Sequence, residues 1–201
     1  MKITDDWIRD EGVQTVLHLL TKAGYRGLLV GGCVRNALIG APVADIDIAT
    51  DAVPEVVVDL AQAAGLKVVP TGIDHGTVTI VVTGEPHEVT TFRRDVATDG
   101  RRATVAYATD IKEDASRRDF TMNALYADAE GRIVDPLNGL PDLQARRVRF
   151  VGDASARIRE DYLRILRFFR FHAWYGDAAE GMDADALAAC AANSAGIDAL
   201  S

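Results

Sequence analysis

Between Trp7 and Ala23 the apolar residues recur at helical spacing, with Trp7, Ile8, Val13, Val16, Leu17 and Leu20 on one side and Gly24 as a stop. Gly27 to Val30 reads as a first strand and Asp45 to Ala49 as a second. A helix opens at Pro54 and runs to Ala64, where Gly65 ends it. Three further strands are expected over Leu66–Val69, Thr77–Val82 and His87–Phe92, with Gly84-Glu85-Pro86 as a hairpin-like turn. Arg93 to Asp114 is polar and without period, which predicts a mobile loop. Order should return over Arg118–Asn123, followed by short strands at Ala124–Ala127 and Ile133–Val134 around Gly131. After Asp135-Pro136 the pattern becomes helical, with a long helix over Asp153–Trp174 and an Ala-rich one over Asp183–Ala195. The expected class is α+β, with a mixed sheet in a head (residues 1–140) and an α-helical neck (141–201).

Composition narrows the functional classes. Of 201 residues, 48% are hydrophobic and 26% charged, a globular balance. No apolar run approaches the ~20 residues needed to span a bilayer. The opening Met-Lys-Ile-Thr-Asp-Asp-Trp lacks the order of a secretory signal. Cys33 and Cys190 provide neither a disulfide framework nor zinc-ligand spacing, so a cytoplasmic setting is expected. His18, His75, His87 and His172 also lack ligand spacing and read as packing or surface residues. A net charge of −8 argues against an indiscriminate nucleic-acid binder. The cations are nearly all arginine and they cluster, at 93–94, 101–102, 117–118, 146–147 and 157–170. A G+C-rich genome would explain the excess of arginine, but not its clustering beside acidic residues.

Three segments carry candidate chemistry. Strand Leu28–Val30 runs into Gly31-Gly32-Cys33-Val34-Arg35, and the next strand carries Asp45 and Asp47. A period of two puts both carboxylates on one face and Ile46 and Ile48 on the other, toward the core. Paired carboxylates suit hard divalent cations, and paired glycines let a polyanion approach the backbone. Taken singly, a Gly-Gly is more often a tight turn and an Asp-x-Asp a solvated strand end; together they suggest a metal-bound nucleoside triphosphate. The second segment, Arg117-Arg118-Asp119-Phe120-Thr121-Met122-Asn123, packs cations, a carboxylate and an amide around a core-facing Phe120. The third is Arg157 to Phe171. On one continuous helix Asp161 and Arg164 would be neighbours, Glu160 and Arg167 would share a side, and Ile158, Tyr162, Ile165, Leu166 and Phe169 would face the core. That pattern fits an ordinary salt-bridged helix. It also fits a base reader, because adenine and cytosine present an amino donor beside a ring-nitrogen acceptor, whereas guanine and uracil present the reverse. A carboxylate beside an arginine matches the first pair, and an unpaired buried edge costs roughly 1–3 kcal/mol.

These segments, together with Glu88-Val89-Thr90-Thr91-Phe92-Arg93 and Glu160-Asp161-x-x-Arg164-x-x-Arg167-x-x-Arg170-Phe171, resemble the class II tRNA nucleotidyltransferase and bacterial poly(A) polymerase family, in its order, over roughly residues 28 to 175. The resemblance implies a polymerase-beta-like nucleotidyltransferase head. By it, Asp45 and Asp47 hold two Mg²⁺ ions, with Glu88 a candidate third catalytic carboxylate. Gly31, Gly32 and Arg35 contact the triphosphate; Arg118, Asp119 and Asn123 serve the triphosphate or ribose. Asp161 and Arg164 template the base, with Arg167 and Arg170 in support. Two positions depart from the family pattern: Tyr162 replaces a common Pro, which could change how the template helix begins, and Asn36 replaces a common Asp.

The implied function is addition of the CCA end to tRNA from CTP and ATP. The alternatives are a poly(A) polymerase, an enzyme adding only part of CCA, and, from another class, a non-catalytic nucleotide- or RNA-binding regulator, which the intact Asp45 and Asp47 disfavour. The region Arg94–Ser116, including Asp99-Gly100-Arg101-Arg102, shows no shortening, which favours full CCA addition by resemblance. Family members continue into helical body and tail domains, so a chain ending at Ser201 is expected to be a head-plus-neck portion that binds nucleotides but holds tRNA weakly. Neither a membrane nor an obligate protein partner is implied.

Overall fold

A computed structural model describes residues 1–99 and 102–200. The expected α+β architecture is present. Its centre is a seven-stranded mixed sheet in the order β3-β4-β5-β2-β1-β8-β9. The strands are β1 (Gly27–Val30), β2 (Asp47–Thr50), β3 (Lys67–Gly72), β4 (Thr77–Val82), β5 (Glu85–Thr91), β8 (Tyr126–Ala127) and β9 (Ile133–Val134). β2 and β5 run parallel and every other neighbouring pair is antiparallel. Helices α1 (Glu11–Lys22), α2 (Gly32–Leu38) and α3 (Pro54–Ala63) belong to this part, and α5 (Leu140–Gln144), α6 (Ala154–Glu160), α7 (Leu163–Tyr175) and α8 (Ala184–Ala192) follow it.

The strand period sorts the two sides of the sheet. Leu29 and Ile48 lie in one apolar cluster with Val13, Val16, Leu17 and Leu20 of α1 and Val57 and Ala61 of α3. Leu28, Val30 and Ala49 turn the other way and meet Phe92, Ala115, Ala124 and Tyr126. Asp47, two residues before Ala49, is therefore on the second side, away from α1 and α3. The first cluster continues into the later helices, where Phe120 and Phe150 have ring centroids 5.0 Å apart and Phe150 and Phe168 5.7 Å.

Several expectations from the sequence are corrected. The single helix over residues 7–23 is two elements, a 3-10 turn Asp6–Arg9 and then α1. Asp10 divides them, because its carboxylate accepts the Gly12 and Val13 amides at 2.9 and 3.1 Å and so caps α1. The β4–β5 turn is Thr83-Gly84, not Gly84-Glu85-Pro86, since Val82 pairs with Glu85. Both turn residues have positive φ, 51° and 96°, the signature of a two-residue hairpin of the I′ kind. The loop expected over Arg93–Asp114 is an antiparallel hairpin, β6 (Arg93–Asp99) with β7 (Arg102–Tyr107), followed by α4 (Ile111–Ser116). Cross-strand backbone pairing requires no apolar period, which is why the pattern was silent. Of that region, Gly100 and Arg101 lie outside the described residues.

The helix expected over Asp153–Trp174 breaks at Asp161-Tyr162 into α6 and α7. Asp161 is extended (φ −155°, ψ 106°), and its carboxylate accepts the Leu163 amide at 3.0 Å to restart the helix. The break resets the helical phase. Ile158, Ile165, Phe168 and Phe171 are buried, Tyr162 packs against the core, and Leu166 and Phe169, expected inside, are 47% and 40% exposed. Tyr162 has φ −64° after an extended residue, the backbone a proline would impose, so its replacement of Pro leaves the start of α7 unaltered. The Ala-rich helix is shorter than expected, with α8 ending at Ala192 before a 3-10 turn over Ser194–Ala199. No helix among the described residues is long and apolar enough to cross a membrane.

Candidate active site

The glycine turn and the carboxylates meet through strand register. Val30, the last residue of β1, pairs with Asp47, the first of β2, and Asp47 pairs in turn with Glu88 of β5. The residue before Gly31 and two carboxylates therefore stand side by side on three neighbouring strands, at the end of β1, the start of β2 and the middle of β5. Gly31 has φ 74° and ψ −119°, a backbone that only glycine adopts cheaply. Asp45 lies just outside β2, two residues upstream of Asp47, and Asp45, Asp47 and Glu88 are all exposed. Desolvation raises the pKa of Asp47, Glu88 and Asp45 raise it further by repulsion, and Arg118 opposes them. The same carboxylates line an open cavity of about 580 Å³ together with His87.

Arg118 is aimed from beneath. Its Nε donates to the Tyr126 hydroxyl at 3.2 Å, its Nη2 donates to Asp114 Oδ2 at 3.0 Å, and its Nη1 lies 3.5 Å from where a Cβ on Gly31 would be. Asp114, in α4, is 2% exposed and receives four donors: Arg118, Arg117 at 3.2 Å, the Tyr126 hydroxyl at 2.7 Å and the Arg93 amide at 3.1 Å. Burial works against its charge, but Arg118, Arg117, the Tyr126 hydroxyl and the Arg93 amide together hold its pKa below the ordinary carboxylate value. Asp114 and Tyr126 were missed in the sequence. The signal for Asp114 was its spacing, three residues before Arg117 and four before Arg118.

The other candidates fall into two further groups. Arg35, buried at 7% exposure, donates from Nε to Asn36 at 3.0 Å, from Nη1 to Asn123 at 2.5 Å and from Nη2 to Asn36 at 2.9 Å and Tyr175 at 2.8 Å. Asn36, where the family commonly has Asp, is thus an acceptor for Arg35. Asn123 donates to Asp119 Oδ1 at 2.9 Å, and Arg167 donates to Asp119 Oδ2 at 2.8 and 2.5 Å. Arg167 therefore pairs with Asp119, not along the helix with Glu160. Arg164 pairs with Glu160 at 2.6 Å and with the Arg157 carbonyl at 2.9 Å, not with Asp161, because the break removes Asp161 from the helical register. Gly32 opens α2 beside Arg35, and Arg170 is exposed with its guanidinium 5.4 Å from the Trp174 ring. Of the histidines, His87 is buried, next to Glu88 in sequence.

Comparison with known proteins gives the family. Residues 28–149 match the family model described as the poly A polymerase head domain. The chain is 42% identical over 192 residues to the human CCA tRNA nucleotidyltransferase 1, mitochondrial, covering 95% of this chain and 44% of that protein. It is 47% identical over 163 residues to the CCA-adding enzyme of Oceanobacillus iheyensis, covering 80% of this chain and 40% of that protein. The structure of the Bacillus stearothermophilus CCA-adding enzyme in complex with CTP superposes with a TM-score of 0.82 at 36% identity, over 94% of this chain and 44% of that one. The chain thus spans less than half the length of these relatives. A family model that matches well over half the chain, with relatives above 40% identity, places the protein in the poly A polymerase head-domain family.

Proposed function

We propose that this chain is the head (residues 1–140) and neck (141–201) of a template-independent RNA nucleotidyltransferase that adds CCA to tRNA from CTP and ATP. The observation that carries the reading is the register Val30–Asp47–Glu88, which sets two carboxylates beside the glycine turn and near Arg118. The comparison protein seen with CTP has the same fold at 36% identity, which supports CTP as a ligand. The family-model description favours a second reading, polyadenylation.

The donor set suits Mg²⁺: all the candidate ligands are carboxylate oxygens, and the Asp47 pKa is raised first by desolvation and then by repulsion from Glu88 and Asp45, a repulsion that a cation would relieve. Among the described residues no three acidic, His or Cys side chains close into a ready-made metal cage. Asp45 and Asp47 would hold the ions, with Glu88 as third carboxylate; bound there, two divalent cations supply activation of the RNA 3′-hydroxyl and charge neutralisation on the departing pyrophosphate. Arg118 and the Gly32 amide bind the phosphates, while the Gly31 amide, held by the Leu125 carbonyl at 3.2 Å, fixes the turn that lets them approach. Asp119 and Asn123 border the ribose. Asp161 and Arg164 select the base edge, with Arg167 and Arg170 in support. Both cysteines are buried and unpaired, in keeping with a reducing, cytoplasmic setting.

Calorimetric titration of the chain with CTP, ATP, GTP and UTP, each with Mg²⁺, tests the reading. CTP and ATP are expected to bind at least about tenfold more tightly than GTP and UTP, the discrimination worth one unpaired edge. Binding of ATP alone would move the assignment to polyadenylation, and equal binding of all four would overturn the base-selection assignment.

A further inference from the structure

Arg35 is the residue whose surroundings least match a phosphate ligand. Its Nε and both terminal nitrogens are already committed inside the protein, and its guanidinium lies over two aromatic rings, 4.1 Å from the Tyr175 centroid and 5.3 Å from that of Phe171. Followed outward, its contacts form a closed circuit: Tyr175 to Arg35, Arg35 to Asn123, Asn123 to Asp119, Asp119 to Arg167. The circuit begins and ends on α7, since Tyr175 and Arg167 belong to the same helix, eight residues and so about 12 Å apart. Between them it passes through α2, which follows the glycine turn, and through the 3-10 turn Thr121–Asn123. The Arg35 amide donates to the Gly31 carbonyl at 2.9 Å, so the same residue is tied by its backbone to the turn.

We infer that Tyr175, at the last position of α7 and outside every recognised motif, is a positioning residue that fixes Arg35 and thereby sets the seating of α7 on the glycine turn. Its ring and its hydroxyl act together. The ring offers its π face to a guanidinium stripped of water, and the hydroxyl accepts one Nη2 hydrogen while Asn36 accepts the other, so that loss of the hydroxyl leaves half of Nη2 unsatisfied. Because α7 also carries Arg164, this seating sets where the base-selecting side chains stand relative to the phosphate site. In that consequence the inference rests on the proposed function; in the coupling itself it does not.

Two variants of the full chain test it, Tyr175→Phe, which keeps the ring, and Tyr175→Ala, which removes both contacts. Amide hydrogen exchange is followed over residues 32–38 and 121–124, with β4 as an internal control, and CTP and UTP affinities are measured with Mg²⁺. Tyr175→Ala is expected to speed exchange in those two segments by about tenfold and to cut the CTP-over-UTP preference several-fold, while β4 stays protected; Tyr175→Phe falls between it and the parent. Unchanged exchange over 32–38 and 121–124 in both variants would overturn the inference, as would a rise of equal size in β4, which is what general loss of stability produces. A parent chain that binds no nucleotide would defeat the proposed function, and the exchange comparison would still decide the coupling.

Discussion

Asp114 shows how much can depend on a single buried carboxylate. It receives Arg117, Arg118, the Tyr126 hydroxyl and the first amide of β6, and so ties α4, β8, the hairpin and Arg118 to one point. Its pKa is depressed from 3.8, so the stability it contributes is fully present above that pH and is lost as pH falls through its lower value in the folded chain. Asp114→Asn is expected to cost about 3 kcal/mol at neutral pH, because two arginines lose their counter-charge. The variant should also show a shallower loss of stability below pH 4 than the parent, and denaturant unfolding at pH 7 and at pH 3 measures both effects. Spacing alone brought Asp114 within reach of the arginines, but its burial and its fourth donor, Arg93, come from segments distant in sequence.

At the scale of elements, the two divided helices share one cause: local capping overrode apolar periodicity. Asp10 and Asp161 each place a carboxylate on the amides of the following turn and divide what the period reads as one helix. The Thr83-Gly84 turn carries the opposite tension, with a β-branched residue at φ 51°, a region it enters only at a cost. Thr83→Asn, which places Asn-Gly in a turn with two positive φ values, is expected to stabilise the chain by about 0.5–1 kcal/mol and to leave nucleotide affinity unchanged. Thermal melts and the same titration check the pair of outcomes. The hairpin β6–β7 was invisible to periodicity because its order rests on backbone pairing.

For the molecule as a whole, an aromatic cluster joins the Arg118–Asn123 segment to α7. Phe120 lies 5.0 Å from both Phe150 and Phe171 and 6.4 Å from Phe168, and Phe120 and Phe168 are fully buried. Phe120 enters from the Arg118–Asn123 segment, Phe150 from the stretch before α6, and Phe168 and Phe171 from α7, so removal of one ring should loosen all three. Phe168→Ala is expected to cost about 3–5 kcal/mol and to lower the thermal midpoint by about 10 °C. Scanning calorimetry should show one transition for both proteins, and two would mean that the cluster does not couple α7 to the sheet.

By itself the sequence determined the class of the fold, β1 and β4 to the residue and α3 closely, because strand alternation and glycine stops are written in short windows; the spacing of its charged motifs named candidate carboxylates and arginines. It also placed Ile48 inward and Asp47 outward, which follows from a period of two. Only the tertiary structure decided which partner each charge takes. Arg167 goes to Asp119, Arg164 to Glu160 and Arg35 to Tyr175, across 48, 4 and 140 residues. A guanidinium in a desolvated site binds whichever acceptors the packing brings within hydrogen-bond reach, and that packing is set by strand register and helix breaks, not by the order of residues in a motif.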